Sequence, residues 1–320
     1  MSIPIDFQPS TWLITYYHSI GTLSLVLNAY TLFLIIFKTD KIDSFKYYLL
    51  AFQTFCFIID LHLTLLMQPQ PLHPLPAGFC TGLLTYPNLV SHHMLMTSTI
   101  GLIGLQFGGL LLCFLKKYLV FRKLKRSSSH EMLANGCFVG FCLGLMFLIA
   151  VTYQCGLGCE EEFRIIREKY PSYEEGFRTL SHFALYDLNI YWILLCAGTC
   201  TLSSYAAAIF AFTTFNMFHI LLDLQRISSS SNFNKQRKAL ISLVAQLLTT
   251  LLGVVPAAGL AFCLLIEFRY AQTATRLFLA VFCTHASVNA VVLVVTTPPF
   301  RRFTFFWVTG KRSPVIVSIA

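Results

Sequence analysis

The chain has 320 residues, of which 56% are hydrophobic and only 12% are charged. So little polar side chain cannot cover a globular domain in water, which excludes a soluble protein and indicates a polytopic membrane protein. The formal charge of +9 is divided among the predicted membrane loops rather than gathered on one face, so we expect no nucleic-acid partner.

Seven apolar segments are long enough to cross a bilayer as helices, which takes roughly 20 residues each. The sequence therefore predicts an all-α membrane protein, a seven-transmembrane helix bundle that forms one domain over residues 1–320. The predicted spans are Leu13–Phe37, Tyr47–Met67, Leu89–Leu115, Leu133–Tyr153, Asn189–Phe215, Ala239–Phe268 and Leu277–Thr297.

The distribution of charge predicts the orientation of the bundle. With the N-terminus outside, the cytoplasmic loops and the tail 298–320 hold 17 of the 23 Lys and Arg residues, and nine of the 14 acidic residues lie outside. Cytoplasmic loops normally carry the excess of basic residues. The tail begins PPFRRFTFFWVTGKR, a pattern that predicts a short helix lying on the inner leaflet of the bilayer.

The first two spans carry polar residues at membrane depth, namely Asn28, Gln53 and Asp60. A carboxylate near the bilayer centre costs roughly 2.5–3.5 kcal/mol, so we expect Asp60 to face the bundle with a partner or to be protonated. Two interpretations stay open. Asp60 is either a conformational switch with a sodium ion or a proton, or a structural residue held by hydrogen bonds.

The third span has a polar face and a glycine stripe. His92, Thr99 and Gln106 recur every seven residues and share one side of the helix, while glycines on another stripe allow close approach of a neighbour. The helix is therefore predicted to be central. It ends in the basic segment KKYLVFRKLKR, which belongs on the cytoplasmic side.

The outer loops are predicted to carry a disulfide bond and a lid. Cys80 follows a proline-rich segment, and Cys155 and Cys159 lie in the next outer loop. Because only these three cysteines face the oxidising side, we expect Cys80 to pair with Cys155 or Cys159, and the choice stays open. The segment CEEEFRIIREKYP predicts a short amphipathic helix that ends at Pro171.

The sixth and seventh spans complete the predicted site. Pro256 removes a backbone hydrogen bond beside Gly253, which predicts a hinge. In the seventh span, helical spacing places four side chains on one face, namely Phe278, Phe282, His285 and Asn289. The predicted ligand pocket contains His92, Thr99, Phe278, Phe282 and His285. The predicted conformational switch contains Asn28, Asp60, Gly253, Pro256 and Asn289. The cations predicted to face a cytoplasmic partner are Lys116, Lys117, Arg122, Lys235, Arg237 and Lys238.

Enzyme, channel and transporter functions have little support in the sequence. The sequence has no Walker, His-Glu-x-x-His or Gly-x-Ser-x-Gly motif, so we expect neither an enzyme nor a cofactor. An intramembrane metal-dependent hydrolase is a weak alternative, because His62, His92 and His285 are not spaced as metal ligands. A ligand-gated channel or a transporter also uses buried polar groups, but the chain lacks the repeated halves typical of transporters.

The sequence resembles the nematode serpentine chemoreceptors, specifically the class I (Sri) branch of the Str superfamily. The resemblance rests on YYHSIG at Tyr16, the block FKYYLLAFQTFCFIIDLHLTLLMQPQPLHPLPAGFCTG from Phe45, KQRKALISLVAQLLTTLLGVVPA from Lys235 and PPFRRF at Pro298. It implies a seven-transmembrane G-protein-coupled receptor for a small-molecule ligand, coupled to a heterotrimeric G protein. It also implies a plasma-membrane location, in the cilia of sensory neurons. The chain lacks the Asp-Arg-Tyr and Asn-Pro-x-x-Tyr motifs of rhodopsin-like receptors.

Overall fold

The structure is a computed structural model that describes residues 4–38, 45–85, 90–125, 130–227, 230–265 and 268–309. Helices and three short strands lie in these ranges. In chain order the helices are α1 (Thr11–Lys38), α2 (Phe45–Leu61), α3 (His92–Leu124), α4 (Glu131–Gln154), α5 (Cys159–Lys169), α6 (Glu174–Arg178), α7 (Ile190–Ile227), α8 (Ser230–Leu265), α9 (Ala271–Thr296) and α10 (Pro298–Thr309). The strands are β1 (Pro69–Pro71), β2 (Ala77–Cys80) and β3 (Ala184–Leu185).

The long helices confirm the predicted all-α membrane fold. Within the described residues, six of them are long and apolar enough to cross a membrane, namely α1, α2 with its continuation to Met67, α3, α4, α7 and α9. The sixth predicted span overlaps α8, a helix of 36 residues that packs mainly against α9. Leu89, the first residue of the predicted third span, lies outside the described residues. Where each helix enters the membrane stays a prediction.

Helix α3 occupies the centre of the bundle, as its polar face and glycine stripe predicted. It packs against α2, α4 and α7. A Cβ atom added at Gly104 would collide with Leu145 of α4, and one added at Gly144 would lie 2.8 Å from Leu202 of α7. The glycines therefore let α4 approach both neighbours at distances that a larger side chain would prevent.

Helix α2 does not end as a regular α-helix. It continues as a π-helical segment, His62–Met67, which stops at Gln68 with a left-handed φ of 48°. The Gln68 side chain donates a hydrogen bond to the carbonyl oxygen of Thr64 at 2.9 Å, which closes this end. A π-helical turn holds more residues than an α-helical turn, so it changes which side chains face the bundle after Leu61. No sequence signal predicted it.

The outer end, which carries the N-terminus, is covered by a structure that we call the outer cap. It consists of residues 4–10, the three strands, α5 and α6. Strand β2 pairs antiparallel with both β1 and β3, so the first and second outer loops form one sheet. The prolines of β1 fit there because β1 is an edge strand.

The outer cap has its own hydrophobic core. Ile166 and Phe177 are fully buried, together with Leu72 and Leu185 at the sheet. The predicted amphipathic helix is confirmed as α5, which buries Ile166 on its inner side. The N-terminal residues join this core, since the rings of Phe7 and Phe177 meet edge to face at 5.2 Å. The cap is therefore a packed unit rather than a set of separate loops.

The inner end is packed around aromatic side chains. Phe52, Phe114, Phe121 and Phe300 are each at most 1% exposed and belong to one cluster. Helix α10 closes this end: its Thr304 hydroxyl lies 2.8 Å from the Tyr30 hydroxyl of α1. Interior packing of this density leaves little free volume near the cytoplasmic ends of the helices.

Candidate ligand cavity and polar core

A cavity of about 330 Å³ lies between the outer cap and the bundle. The sheet forms its roof, and α3, α7 and α9 form its sides through residues such as Ile103, Trp192 and Leu279. Its walls are almost wholly apolar. Among the described residues, no Asp, Glu, Lys or Arg lines it. A concave apolar site with a few polar groups is the usual form of a small-molecule site.

Three cavity-lining residues of the outer loops and of the start of α3 carry nitrogens without a hydrogen-bond partner among the described residues. Gln70 of β1 accepts a hydrogen bond from the Ser10 backbone N–H through Oε1 at 3.3 Å, which leaves its amide nitrogen unpaired within the described residues. Both ring nitrogens of His73 and Nδ1 of His92 also have no hydrogen bond there. Burial lowers the pKa of His73 to about 4, so its ring is neutral at pH 7. Buried polar atoms normally have partners, so these nitrogens mark the cavity as a place where a ligand can bind.

The structure divides the predicted ligand pocket in two. His92, Thr99 and Phe282 line the cavity. Phe278 and His285 are not among its lining residues. The ring of Phe278 packs where a side chain on Gly259 of α8 would stand, and His285 lies deeper, with its Nε2 atom 3.2 Å from Gln106 Oε1.

Helical geometry explains this difference. The predicted stripe on α9 ran through Phe278, Phe282 and His285, whereas the cavity is lined by Thr275, Leu279 and Phe282. Both stripes have helical spacing and share Phe282, but Phe278 and Leu279 point about 100° apart around the helix axis. A sequence pattern shows that both faces are apolar and cannot show which one meets open space.

A chain of hydrogen bonds, which we call the polar chain, crosses the middle of the bundle. Asn28 of α1 accepts from the Gln53 side chain of α2 at 2.6 Å, and Gln53 accepts from Asn289 of α9 at 3.3 Å. Asn289 in turn accepts from the Thr249 hydroxyl of α8 at 3.1 Å. The predicted switch residues Asn28 and Asn289 are thus joined through Gln53. Thr249 was missed, because threonine is common in apolar spans and carries no distinguishing signal there.

Asp60 lies beside this chain but outside it. Its side chain is 1% exposed, and neither carboxylate oxygen forms a hydrogen bond within the described residues. The side chain of Ser24 is a polar neighbour, and its hydroxyl oxygen accepts from Asn28 at 2.8 Å, which still leaves its O–H able to donate. An unpaired carboxylate at this depth is costly. Both sequence interpretations of Asp60 stay open.

The predicted hinge touches the cavity through one side chain. Helix α8 runs unbroken through Gly253 and Pro256, both of which are buried. A Cβ atom added at Gly253 would lie 3.6 Å from the Phe282 ring and 3.8 Å from His285. Phe282 therefore lies between the cavity and the part of α8 with the weakest backbone hydrogen bonding.

The cations predicted to face a cytoplasmic partner have different environments. Lys117 is only 9% exposed, and its Nζ lies 5.3 Å from the Phe45 ring centre, so it is buried rather than on the surface as predicted. Lys116 stands over Tyr48, and Arg122 Nη2 donates to His130 at 2.8 Å. Arg237 and Lys238 of α8 are exposed. Lys235 lies in α8, and its side chain is outside the described part of the chain.

The predicted outer disulfide bond is not present in the structure. Cys80, Cys155 and Cys159 all have free thiols. Cys80 is buried at the end of β2, and burial raises its pKa to about 12, whereas Cys159 is exposed at the start of α5. The predicted topology grouped these three cysteines on one side of the membrane, which does not by itself bring two thiols together.

Comparison with known families gives one match that covers almost the whole chain. Residues 3–304 match the family described as serpentine type 7TM GPCR chemoreceptor Sri. No curated protein matches the chain significantly. The matched range includes the outer cap, the cavity, the polar chain and the first part of α10.

Proposed function

Because the chain belongs to the Sri family of serpentine seven-transmembrane chemoreceptors, we propose that it binds a small molecule beneath the outer cap and signals to a heterotrimeric G protein. The observation that carries the proposal is the position of Phe282 between the cavity and Gly253. The protein is a multi-pass membrane protein. Its location in the plasma membrane, in the cilia of sensory neurons, is part of the proposal.

The proposed binding site is the cavity rather than the larger set of residues predicted from sequence. Its volume of about 330 Å³ falls at the lower end of the roughly 300–1,000 Å³ typical of small-molecule sites. A ligand there contacts His92 and Thr99 of α3 and Phe282 of α9. It also contacts the sheet, so the outer loops take part in recognition.

The proposed signal passes from Phe282 to α8. A ligand that displaces the Phe282 ring changes the packing of that ring against Gly253. Gly253 lies three residues before Pro256. Pro256 leaves α8 one backbone hydrogen bond short, so two bends of this helix can lie close in free energy. The ligand shifts their populations only by the difference between its affinities for the two states.

The polar chain is proposed to hold the resting state. Thr249 lies one helical turn from Gly253, and its hydrogen bond to Asn289 joins α8 to α9. A swing of α8 breaks that bond and leaves the side-chain oxygen of Asn289 to find a new donor. Asp60, buried beside the polar chain without a hydrogen bond within the described residues, is proposed to take a proton or to gain a partner in the same step.

The proposed output is a groove at the inner end of α8. Arg237 and Lys238 are exposed on this end, so they can meet carboxylates of an inserted partner helix without first breaking a contact. Lys125 of α3 is paired with Asp223 of α7 at 2.6 Å, which closes one side of the groove in the resting state.

Expression in a heterologous cell that carries calcium and cyclic-nucleotide reporters tests the proposal, with a screen of small molecules to find an agonist. Leu279→Trp places a large side chain in the cavity and is expected to raise the half-maximal agonist concentration by about tenfold or more. Leu277→Trp is the matched control, since Leu277 lies two residues away and is 54% exposed. Equal responses from both variants at equal surface density contradict the proposed site.

The hinge is tested in the same cells. Pro256→Ala restores the missing backbone donor and is expected to lower the maximal response while leaving surface delivery unchanged. Arg237→Glu is expected to abolish the response and to leave agonist binding intact. A normal response from Pro256→Ala contradicts the hinge, and normal coupling by Arg237→Glu contradicts the role of the inner cations.

A further inference from the structure

The cavity has two chemically different ends. At the outer end, the nitrogens of Gln70, His73 and His92 are unpaired within the described residues. Toward the membrane centre the walls are hydrocarbon and aromatic, with Ile103, Leu279 and Phe282. A ligand that fills this space must therefore also have two ends, one able to form hydrogen bonds and one apolar.

The charges around the cavity restrict the ligand to a neutral molecule. None of the residues that line it is Asp, Glu, Lys or Arg. An ionised group moved from water into such a site loses its hydration without gaining an opposite charge, which costs several kcal/mol or more. His73 offers no positive charge either, because its lowered pKa keeps the imidazole neutral at pH 7.

The orientation of Gln70 determines which hydrogen-bonding group the ligand needs. Its Oε1 atom is already occupied by the Ser10 N–H at 3.3 Å, so the unpaired atom is the amide nitrogen, which can only donate. The ligand must therefore offer an acceptor, such as a carbonyl, ester or ether oxygen. A neutral imidazole at His73 provides a second donor or an acceptor for the same group.

The volume limits the length of the molecule. A water molecule takes about 30 Å³ of liquid, so a cavity of about 330 Å³ has room for roughly eleven atoms of that size. This corresponds to a short hydrocarbon chain or a single ring with one polar group. The apolar part then lies toward Phe282, which contacts Gly253.

We infer that the cavity binds an uncharged molecule of roughly ten to twelve non-hydrogen atoms. This molecule has a hydrocarbon skeleton that carries one hydrogen-bond acceptor. The acceptor lies beneath the sheet against Gln70 and His73, and the hydrocarbon part extends toward Phe282. The inference rests on the proposed function for its biological meaning, but it concerns binding alone and is tested by binding alone.

The test uses the full-length purified receptor in bilayer discs of neutral phospholipid. Trp192 lines the cavity, so a straight-chain methyl ketone with a terminal bromine quenches its fluorescence when bound, and Trp192→Phe identifies that part of the signal. Unbrominated competitors of equal length are then added: a ketone, an alkane, a carboxylate and an alkylammonium. The ketone is expected to relieve the quenching about tenfold more effectively than the alkane, and the two ions to have no effect.

Two variants locate the acceptor. His73→Phe removes both ring nitrogens without breaking a hydrogen bond among the described residues, and it is expected to remove most of the preference for the ketone over the alkane. His18→Phe is the matched control, because His18 is exposed on α1. Gln70→Met tests the second donor, with Gln8→Met on the exposed part of the N-terminal segment as its control.

Three results overturn the inference. The first is displacement by the carboxylate or the alkylammonium as readily as by the ketone. The second is an unchanged ketone preference in both His73→Phe and Gln70→Met, and the third is saturable quenching by no member of the series. A receptor that binds the ketone but activates no G protein in cells contradicts the proposed function instead. One that signals to a charged agonist through the cavity contradicts only this inference.

Discussion

The outer and inner halves of the bundle differ in how completely they are filled. The outer half holds a cavity of about 330 Å³ whose lining includes nitrogens with no hydrogen bond among the described residues, whereas the inner half is packed around Phe52, Phe114 and Phe121. Free volume and unpaired polar groups are where a ligand gains binding free energy. A packed core changes only between discrete arrangements, so it suits the transmission of a signal better than its reception.

The largest expected effect compares one substitution in each half. Phe114 is fully buried and meets Phe210 edge to face at 5.0 Å, so Phe114→Ala should cost about 3–5 kcal/mol of unfolding free energy. Phe282→Ala should cost less, about 1–2 kcal/mol, because that ring already borders open space. Thermal unfolding of the two variants in the same detergent measures the difference. Equal costs would mean that the cavity is closed in solution.

The second effect concerns the polar chain between the halves. Asn289→Ala leaves the Gln53 carbonyl oxygen without its partner, whereas the Thr249 hydroxyl can still donate to the Gln246 carbonyl oxygen at 2.8 Å, and we expect a loss of about 1–2 kcal/mol. The same variant should raise signalling in the absence of agonist, since α8 loses a link to α9. Val288→Ala, at an adjacent exposed position, is the control. A variant that is destabilised but silent would limit the chain to a structural role.

Part of this difference between the two halves can be predicted from the sequence, and part cannot. The spacing of His92, Thr99 and Gln106 placed α3 at the centre, because helical periodicity depends only on local geometry. The pairing of β2 with β3 joins positions about 107 residues apart, which no local pattern records. The π-helical turn after Leu61 likewise has no sequence signature, and it helps to place Leu63 and Met67 at the cavity.

The third effect is a pH dependence confined to the outer cap. Glu162 of α5 accepts a hydrogen bond from the Leu185 N–H at 3.1 Å, and burial raises its pKa from 4.5 to about 7. A carboxyl group with a raised folded pKa binds its proton more tightly in the folded cap. The cap is therefore most stable below about pH 4.5, loses stability as pH rises from 4.5 to about 7, and changes little above that.

Hydrogen exchange at the Leu185 amide, corrected for the intrinsic rate at each pH, measures this effect. Protection should increase when pH falls from the upper to the lower part of that range. Glu162→Gln keeps an acceptor for the Leu185 N–H but does not titrate, so its protection should stay constant. A pH dependence that persists in Glu162→Gln would have to come from another group that titrates between pH 4.5 and about 7.

The smallest expected effect is at the inner surface. Lys125 and Asp223 form an ion pair at 2.6 Å, but both side chains are about half exposed. Exposed pairs contribute roughly 0–1 kcal/mol, so Lys125→Gln should change the unfolding temperature very little. Its effect on signalling should be larger than its effect on stability, since the pair closes one side of the proposed groove. Unchanged basal and agonist-evoked signalling would remove the pair from the mechanism.

The N-terminal segment of the outer cap affects how the receptor is made. Asp6 exchanges two backbone hydrogen bonds, at 3.0 and 2.8 Å, with the side chain of Gln272, which lies 266 positions later in the chain. At roughly 5–20 residues per second, ribosomes need about 13–53 s to synthesise that interval. Asp6 is synthesised early and must wait for this partner until α9, which carries Gln272, has been inserted. We therefore expect substitutions in this segment to reduce export from the site of synthesis before they affect recognition of a ligand.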